Sequence, residues 1–367
     1  MNKTGRIVLA FSVVLFLGLI VVSQAQGPAN EGKSLADIAR EARAKTRINA
    51  PVISNDSQTG KSESQYKREI QALMEKGAFT DLDAAADSAR ASKDRIEGGG
   101  WKLFVFYDTV SSPIAGEHAT SIDWTQQLFK LQNWISGRPR SITARVALAD
   151  AYINLAWKTR GDGYARTVNA VGMQQFEKQI ELAQQTLVDA AKLPDKCPHW
   201  YFDMLEIARD QSWNKEQIRA LFDRAVAFEP EYYYYYRTYA SNLLPKWNGE
   251  PGETEAFADE SYRRIGGRQG AFVYFEIASV LYCSCSKWTV KPTLSWPTIQ
   301  EGFAELEERY VASTLKLNRF AALAYLYRDQ AVAKRTLTRV NSQWDPDVWP
   351  DIDSFNDVRT WAGLPSL

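Results

Sequence analysis

Apolar residues recur every three to four positions through most of the chain after residue 123. The pattern is cleanest in residues 214–230, NKEQIRALFDRAVAFEP. Asn214 and Gln217, three residues apart, form a capping box in which each side chain satisfies a backbone N–H that the helix start leaves orphaned. Ile218, Leu221, Phe222 and Ala225 fall at i, i+3, i+4 and i+7 and share one face. Glu229-Pro230 stops the helix, because a residue before proline is pushed out of the α region. About 34 residues before the end of that motif lies HWYFDMLEIARDQSW. Its Phe202 and Leu205 sit where the first helix of a tetratricopeptide-type hairpin carries its bulky residues.

The same period marks Trp124, Leu128, Leu131 and Ile135. It marks Leu148, Ala151, Tyr152 and Leu155 behind a Ser141 cap, then Met173, Phe176, Ile180, Ala183 and Leu187. Further helices are predicted over residues 232–244, 253–264, 272–281, 298–317 and 320–333, the fourth opened by a Thr298/Glu301 capping box. Upstream, residues 65–77 read as a helix with Ile70, Leu73 and Met74 inward and Gly77 as its stop, and Thr80 with Asp83 opens another over 80–92. Residues 98–100 are three glycines, read as loop punctuation, and the following WKLFVFYDTV alternates too loosely to decide between strand and helix. Pro194 and Pro230 each close a helix and precede an aromatic cluster, HWYF or YYYYY, which is a weak internal echo. A hairpin cannot bury its apolar face alone. The expected fold is therefore all-α, a tetratricopeptide-like superhelix of stacked helical hairpins.

Composition changes the picture mainly at the ends. Lys3 and Arg6, an apolar run over residues 7–22 and Ser23-Gln24-Ala25 have the order of a cleavable export leader, residues 1–25. The run is shorter than the ~20 apolar residues of a spanning helix, which makes an uncleaved anchor the alternative. No cysteine follows it to carry lipid. Residues 26–62 read as a flexible tether, 63–97 as short helices, 98–344 as the repeat domain and 345–367 as an acidic tail. Of 44 basic and 44 acidic residues, Lys3 and Arg6 would leave with the leader, for a mature net charge of −2. That balance argues against a nucleic-acid partner, and no later segment is apolar enough to span a membrane. The expected location is periplasmic or secreted.

Cysteine and histidine chemistry is sparse. Cys197, Cys283 and Cys285 suggest, in an oxidising compartment, one disulfide from Cys197 to Cys283 or Cys285 and one thiol left over. Cys197 and His199 with Cys283 and Cys285 would also suffice as ligands for zinc or copper, but the Cys-Ser-Cys spacing is wrong for zinc, so no metal site is assigned. The acidic run Asp345, Asp347, Asp351 and Asp353 lacks the glycine of a calcium loop and reads as a solvated turn. There is no HExxH, Walker loop, GxSxG or helix-opening GxGxxG, so no catalytic residue and no cofactor is expected. A carboxylate pair, which leaves no sequence signature, keeps a hydrolase open as an alternative.

Aromatic residues are the richest candidate, with 12 Trp and 17 Tyr. Five tyrosines at residues 232–236 point all round a helix axis, so some are expected to face solvent or a groove. Tyr234 and Tyr236, with Trp157, Tyr164, Trp200 and Trp247 near equivalent ends of neighbouring elements, would then line a concave surface. Packing between repeats is the competing role for the same rings.

Four blocks, GGGWKLFVFYDTV, ARVALADAYINLAWKTRGDGYARTV, KCPHWYFDMLEIA and FDRAVAFEPEYYYYYRTYASNLLPKWNGEPG, resemble an exported bacterial family of domains of unknown function with tetratricopeptide-like helices. The resemblance covers roughly residues 98–270 and carries no catalytic residues. SLADIAREARAK and APVISND also resemble the N-terminal tethers of secreted bacterial proteins. The resemblance implies an exported helical-repeat protein. The expected function is a non-catalytic scaffold that binds a protein or peptide. The alternatives are a carbohydrate-binding protein using the aromatic ridge and an envelope hydrolase.

Overall fold

Polar side chains set most helix starts. Ser62, Thr120, Ser141, Asn169, Asn214, Ser295, Ser313, Asp329 and Asp351 each accept a backbone N–H from the first turn that follows. The computed structural model describes residues 62–161, 169–283 and 293–367, all within one compact unit of residues 58–367. The expected leader, the tether up to residue 61, Tyr164, Cys285 and the side chain of Cys283 lie outside the described residues.

Among the described residues there are fifteen α-helices and no strand. They are α1 (Glu63–Glu75), α2 (Phe79–Ser92), α3 (Lys102–Val110), α4 (Ser121–Gly137), α5 (Ile142–Arg160), α6 (Ala170–Ala190), α7 (Pro198–Asp210) and α8 (Lys215–Phe228). Then come α9 (Tyr234–Asn242), α10 (Glu253–Ile265), α11 (Gly267–Cys283), α12 (Trp296–Arg309), α13 (Thr314–Leu326), α14 (Gln330–Val340) and α15 (Ile352–Trp361). Helices α3, α5, α7, α9, α11 and α13 pack in series, and the even-numbered helices α4 to α14 pack against them. Helix α5 contacts α3, α4, α6 and α7, which is why it is buried on every side from Ile142 to Ile153 and carries no amphipathic stripe. The Asn214 capping box forms, and Ile218, Leu221, Phe222 and Ala225 are all buried. No helix among the described residues is long and apolar enough to cross a membrane.

Four readings change. Residues 102–110, undecided between strand and helix, are α3. Leu103, Val105, Phe106, Tyr107, Thr109 and Val110 are all buried, so no periodic face shows in the sequence. Asp83 caps nothing: α2 starts behind Ala78, and Asp83 turns inward to accept Arg138 Nε (2.9 Å) and Ser141 Oγ (2.5 Å). The predicted helices 298–317 and 320–333 each straddle a break. Ser295 rather than Thr298 caps α12, a new helix starts after Ser313, and Arg328 takes φ 59° before the Asp329 cap. The acidic tail folds back, with Trp349 and Phe355 fully buried and Asp351 spent as the cap of α15.

The glycine run is more than punctuation. Gly98 donates its N–H to Val311 O at 2.6 Å, and Gly98 and Gly99 both adopt φ 73°. A Cβ on Gly98 would lie 2.6 Å from Ser313 Oγ, and one on Gly99 3.0 Å from Tyr310 Cδ2. Residues 94–101 thus bridge α3 to the loop before α13. They also touch the start of α9, since the Trp101 indole N–H donates to Glu231 O (3.0 Å) and the Arg95 guanidinium lies 3.6 Å above the Trp101 ring.

Candidate functional site

The five described aromatic candidates, Trp157, Trp200, Tyr234, Tyr236 and Trp247, do not form one ridge. Tyr234 belongs to the core. All five tyrosines of residues 232–236 are buried, none more than 4% exposed, which corrects the expectation that some face solvent. The physical reason is that the N-terminal ends of α3, α7 and α9 meet there, so rings pointing in every direction all find neighbours. Tyr234 stacks on Phe104 (3.8 Å, 5°), and its hydroxyl accepts the Trp101 N–H. Tyr232 meets Trp101 edge-on, and the Tyr235 hydroxyl donates to Pro198 O (2.8 Å). Tyr236 packs on Phe222 and borders a cavity of about 410 Å³ that Arg264, Gln269 and Val273 also line. Trp200 lies apart, donating its indole N–H to Leu187 O at the α6–α7 contact.

Trp157 and Trp247 do come together, at the opposite ends of the same layer. Their rings meet at right angles with centroids 5.7 Å apart, lining a cavity of about 310 Å³ with Glu206, Arg209, Ser241, Leu244 and Lys246. Trp157 ends α5, Arg209 ends α7, and residues 244–247 follow α9, so three successive helix C-termini build this cleft. Arg209 sits between the indoles, 5.3 Å from Trp157 and 5.0 Å from Trp247. Glu206 takes both its terminal nitrogens (3.1 and 2.7 Å), while Asp210 takes its Nε (2.8 Å). Asp210 also accepts the Trp157 indole N–H at 3.0 Å. Burial pushes the Asp210 carboxyl up to about 6, outweighing the adjacent Arg209. Arg160 lies over Trp157 and Lys246 over Trp247. Cations cluster where helix carbonyl ends leave partial negative charge.

The second polar concentration is fully internal. His199, on the first turn of α7, is 1% exposed; Asp203, one turn on, is 0%; Asp150, from α5, is 7%. His199 Nε2 lies 3.4 Å from Asp150 Oδ2 and 3.4 Å from Asp203 Oδ1, and its Nδ1 lies 2.7 Å from the Tyr232 hydroxyl. Tyr107 stacks on the imidazole at 4.4 Å, and Phe104 meets it edge-on. Burial, with Asp150 beside it, pushes Asp203 well above the usual carboxylate range. The sequence reading singled out His199 but paired it with cysteines. The usable signals were His199-x-x-x-Asp203 at helical spacing and Asp150 inside the otherwise apolar ARVALADAYI.

Cys197 is a free cysteine, and the expected partners, Cys285 and the side chain of Cys283, lie outside the described residues. Its buried thiol lies 3.3 Å from the Tyr107 hydroxyl and 3.6 Å from Arg90 Nη1, both of which it meets in the core between α2, α3 and α7. A third buried polar group joins Lys316 Nζ to both oxygens of Glu276 at 2.5 Å, with Arg237 3.8 Å from that carboxylate.

No family model matches the chain, and no curated protein or solved structure shows significant similarity to it.

Proposed function

We propose that this is an exported, non-catalytic helical-repeat scaffold, a tetratricopeptide-like superhelix of the exported bacterial family its sequence resembles, which holds a protein or peptide segment in the Trp157–Trp247 cleft. The observation that carries the reading is the composition of that cleft. Serial packing of α3 to α13 with a hairpin partner on each is what stacked repeats require. Three successive helix ends then supply a shallow row of indole edges, cationic side chains and one carboxylate. Carbohydrate is less well served. A sugar stacks on an open ring face, and here Arg209 lies over both indoles while Arg160 and Lys246 cover them further. What remains are indole edges and charges, which suit an extended chain with carbonyl and carboxylate groups. A hydrolase is also less well served: the close pair Asp150 and Asp203 is sealed under aromatic rings, and neither described cavity includes it in its lining.

The test is selection of displayed random peptides on the immobilised full chain. Enrichment of a common sequence by the wild type, lost in Trp247→Ala and Lys246→Glu at unchanged far-UV circular dichroism, supports the reading. Equal enrichment by wild type and variants sinks it, and capture from a glycan array in place of peptides would transfer the cleft to a carbohydrate.

A further inference from the structure

We infer that Asp150, His199 and Asp203 form a three-ligand site for a divalent transition-metal ion of the zinc class. This is independent of what the cleft binds. The three ligand atoms all lie within 4.8 Å of one another. Both carboxylates approach the same imidazole nitrogen at 3.4 Å. That separation is long for a hydrogen bond from one N–H shared between two acceptors. It is close to the edge of a tetrahedron with metal–ligand bonds of about 2.0–2.1 Å, which is roughly 3.3–3.4 Å.

The second observation is Asp203 itself. Its side chain is wholly buried, and neither carboxylate oxygen has a hydrogen-bond partner. Among the described residues no lysine or arginine lies within 4 Å of Asp203 or Asp150. Two buried carboxyl groups facing one imidazole, with no described lysine or arginine beside them, cannot both ionise without a counter-charge, and buried charges pair or coordinate metals. The surroundings have the form of a support for ligands. With Nε2 turned to the metal, Nδ1–H donates to the Tyr232 hydroxyl at 2.7 Å, fixing the tautomer and the ring angle. The stacked Tyr107 and the edges of Phe104 and Phe202 hold the imidazole from the sides. Asn154 Nδ2, 3.4 Å from Asp150 Oδ1, steadies the first carboxylate. One nitrogen with two oxygens selects an imidazole-tolerant ion such as zinc or cobalt over calcium or magnesium, which take oxygen ligands. His199 and Asp203 on one helix turn and Asp150 on α5 make the ion a clasp between α5 and α7, with one coordination position left for water.

The experiment uses the full chain made without a polyhistidine tag, refolded from denaturant with a chelator and then, separately, with Co²⁺ or Zn²⁺. Refolding with metal avoids waiting for an ion to reach a buried site. The expected result is one bound Co²⁺ per chain with the visible absorption of a four-coordinate ion, displaced by Zn²⁺, and a higher melting temperature with either metal than with chelator. Asp203→Asn and His199→Gln should each abolish the absorption, and His118→Gln, at the other histidine, should leave it intact. A folded wild type with no cobalt absorption overturns the proposal, as does absorption retained in Asp203→Asn. A site that holds only a proton predicts instead that Asp203→Asn melts higher than wild type under every metal condition, and that outcome also overturns it.

Discussion

The two ends of the α3–α13 layer use the same kind of residue for opposite purposes. At the N-terminal ends of α3, α7 and α9, Trp101, Phe104 and Tyr232 to Tyr236 are all buried or packed on one another, and residues 94–101 lie across them, although Tyr233 and Tyr236 also border the cavity of about 410 Å³. At the C-terminal ends of α5, α7 and α9, Trp157 and Trp247 stand edge to face around an arginine and leave a cleft. Ring chemistry does not separate the two sites. What separates them is cover. A glycine-rich segment covers one end, and at the other Arg160, Arg209 and Lys246 lie over the indoles, with Phe176 against Trp157.

That contrast can be broken most sharply at the closed end. Replacing Tyr234 and Tyr236 together by Ala removes two buried rings. At ~3–5 kcal/mol for each large-to-small change, it should unfold the protein or lower its stability by well over 5 kcal/mol in a urea titration. Trp157→Ala with Trp247→Ala should leave a folded, cooperative protein in the same assay. If the tyrosine pair proves the milder of the two, the assignment of closed and open ends is reversed.

Lys316 and Glu276 lie under the same closed end, beside Tyr233, with neither side chain more than 7% exposed. Lys316→Met strands a buried carboxylate and should cost about 3–5 kcal/mol of unfolding free energy. Adding Glu276→Leu should recover most of that loss, because the pair as a unit contributes little net stability. Failure of the double variant to recover would mean that Arg237, 3.8 Å from the Glu276 carboxylate, depends on that carboxylate as well.

The covering segment gives a smaller effect. Gly99→Ala forces a Cβ to within 3.0 Å of the Tyr310 ring at φ 73°, and should cost about 1–3 kcal/mol. Hydrogen exchange should then quicken at Gly98 and Trp101, whose N–H groups bond to Val311 and Tyr234, and stay unchanged near Trp157. The smallest expected change is electrostatic and confined to the open end. Asp210 has its carboxyl raised from 3.8 to about 6, so its contribution to stability is complete below the unfolded value and is lost as the pH rises through about 6. The Trp157 indole N–H resonance should titrate with a midpoint near pH 6, and Asp210→Asn should flatten that titration.

Much of this was legible along the chain. The caps Ser141 and Asn214 and the inward face of Ile218, Leu221, Phe222 and Ala225 were readable because helix ends and amphipathic stripes obey local rules. Helix α3 was unreadable for the opposite reason: a segment buried on nearly every side has no stripe. The join between α12 and α13 lacks glycine and proline, so two helices read as one. At the candidate sites, Trp157 and Trp247 meet, whereas Trp200, Tyr234 and Tyr236, expected beside them, lie elsewhere. His199 reads from the sequence only beside the cysteines, and nothing local ties it to Asp150.

The sequence by itself determined the helical class of the described residues and the caps Ser141 and Asn214, since these depend on residues within about one or two turns of each other. Only the tertiary structure decided which rings are core and which line a cleft, and that Asp150 and Asp203 share His199. Those choices depend on residues some 50 positions apart meeting across helices, and an aromatic ring or a carboxylate has the same letter in either environment.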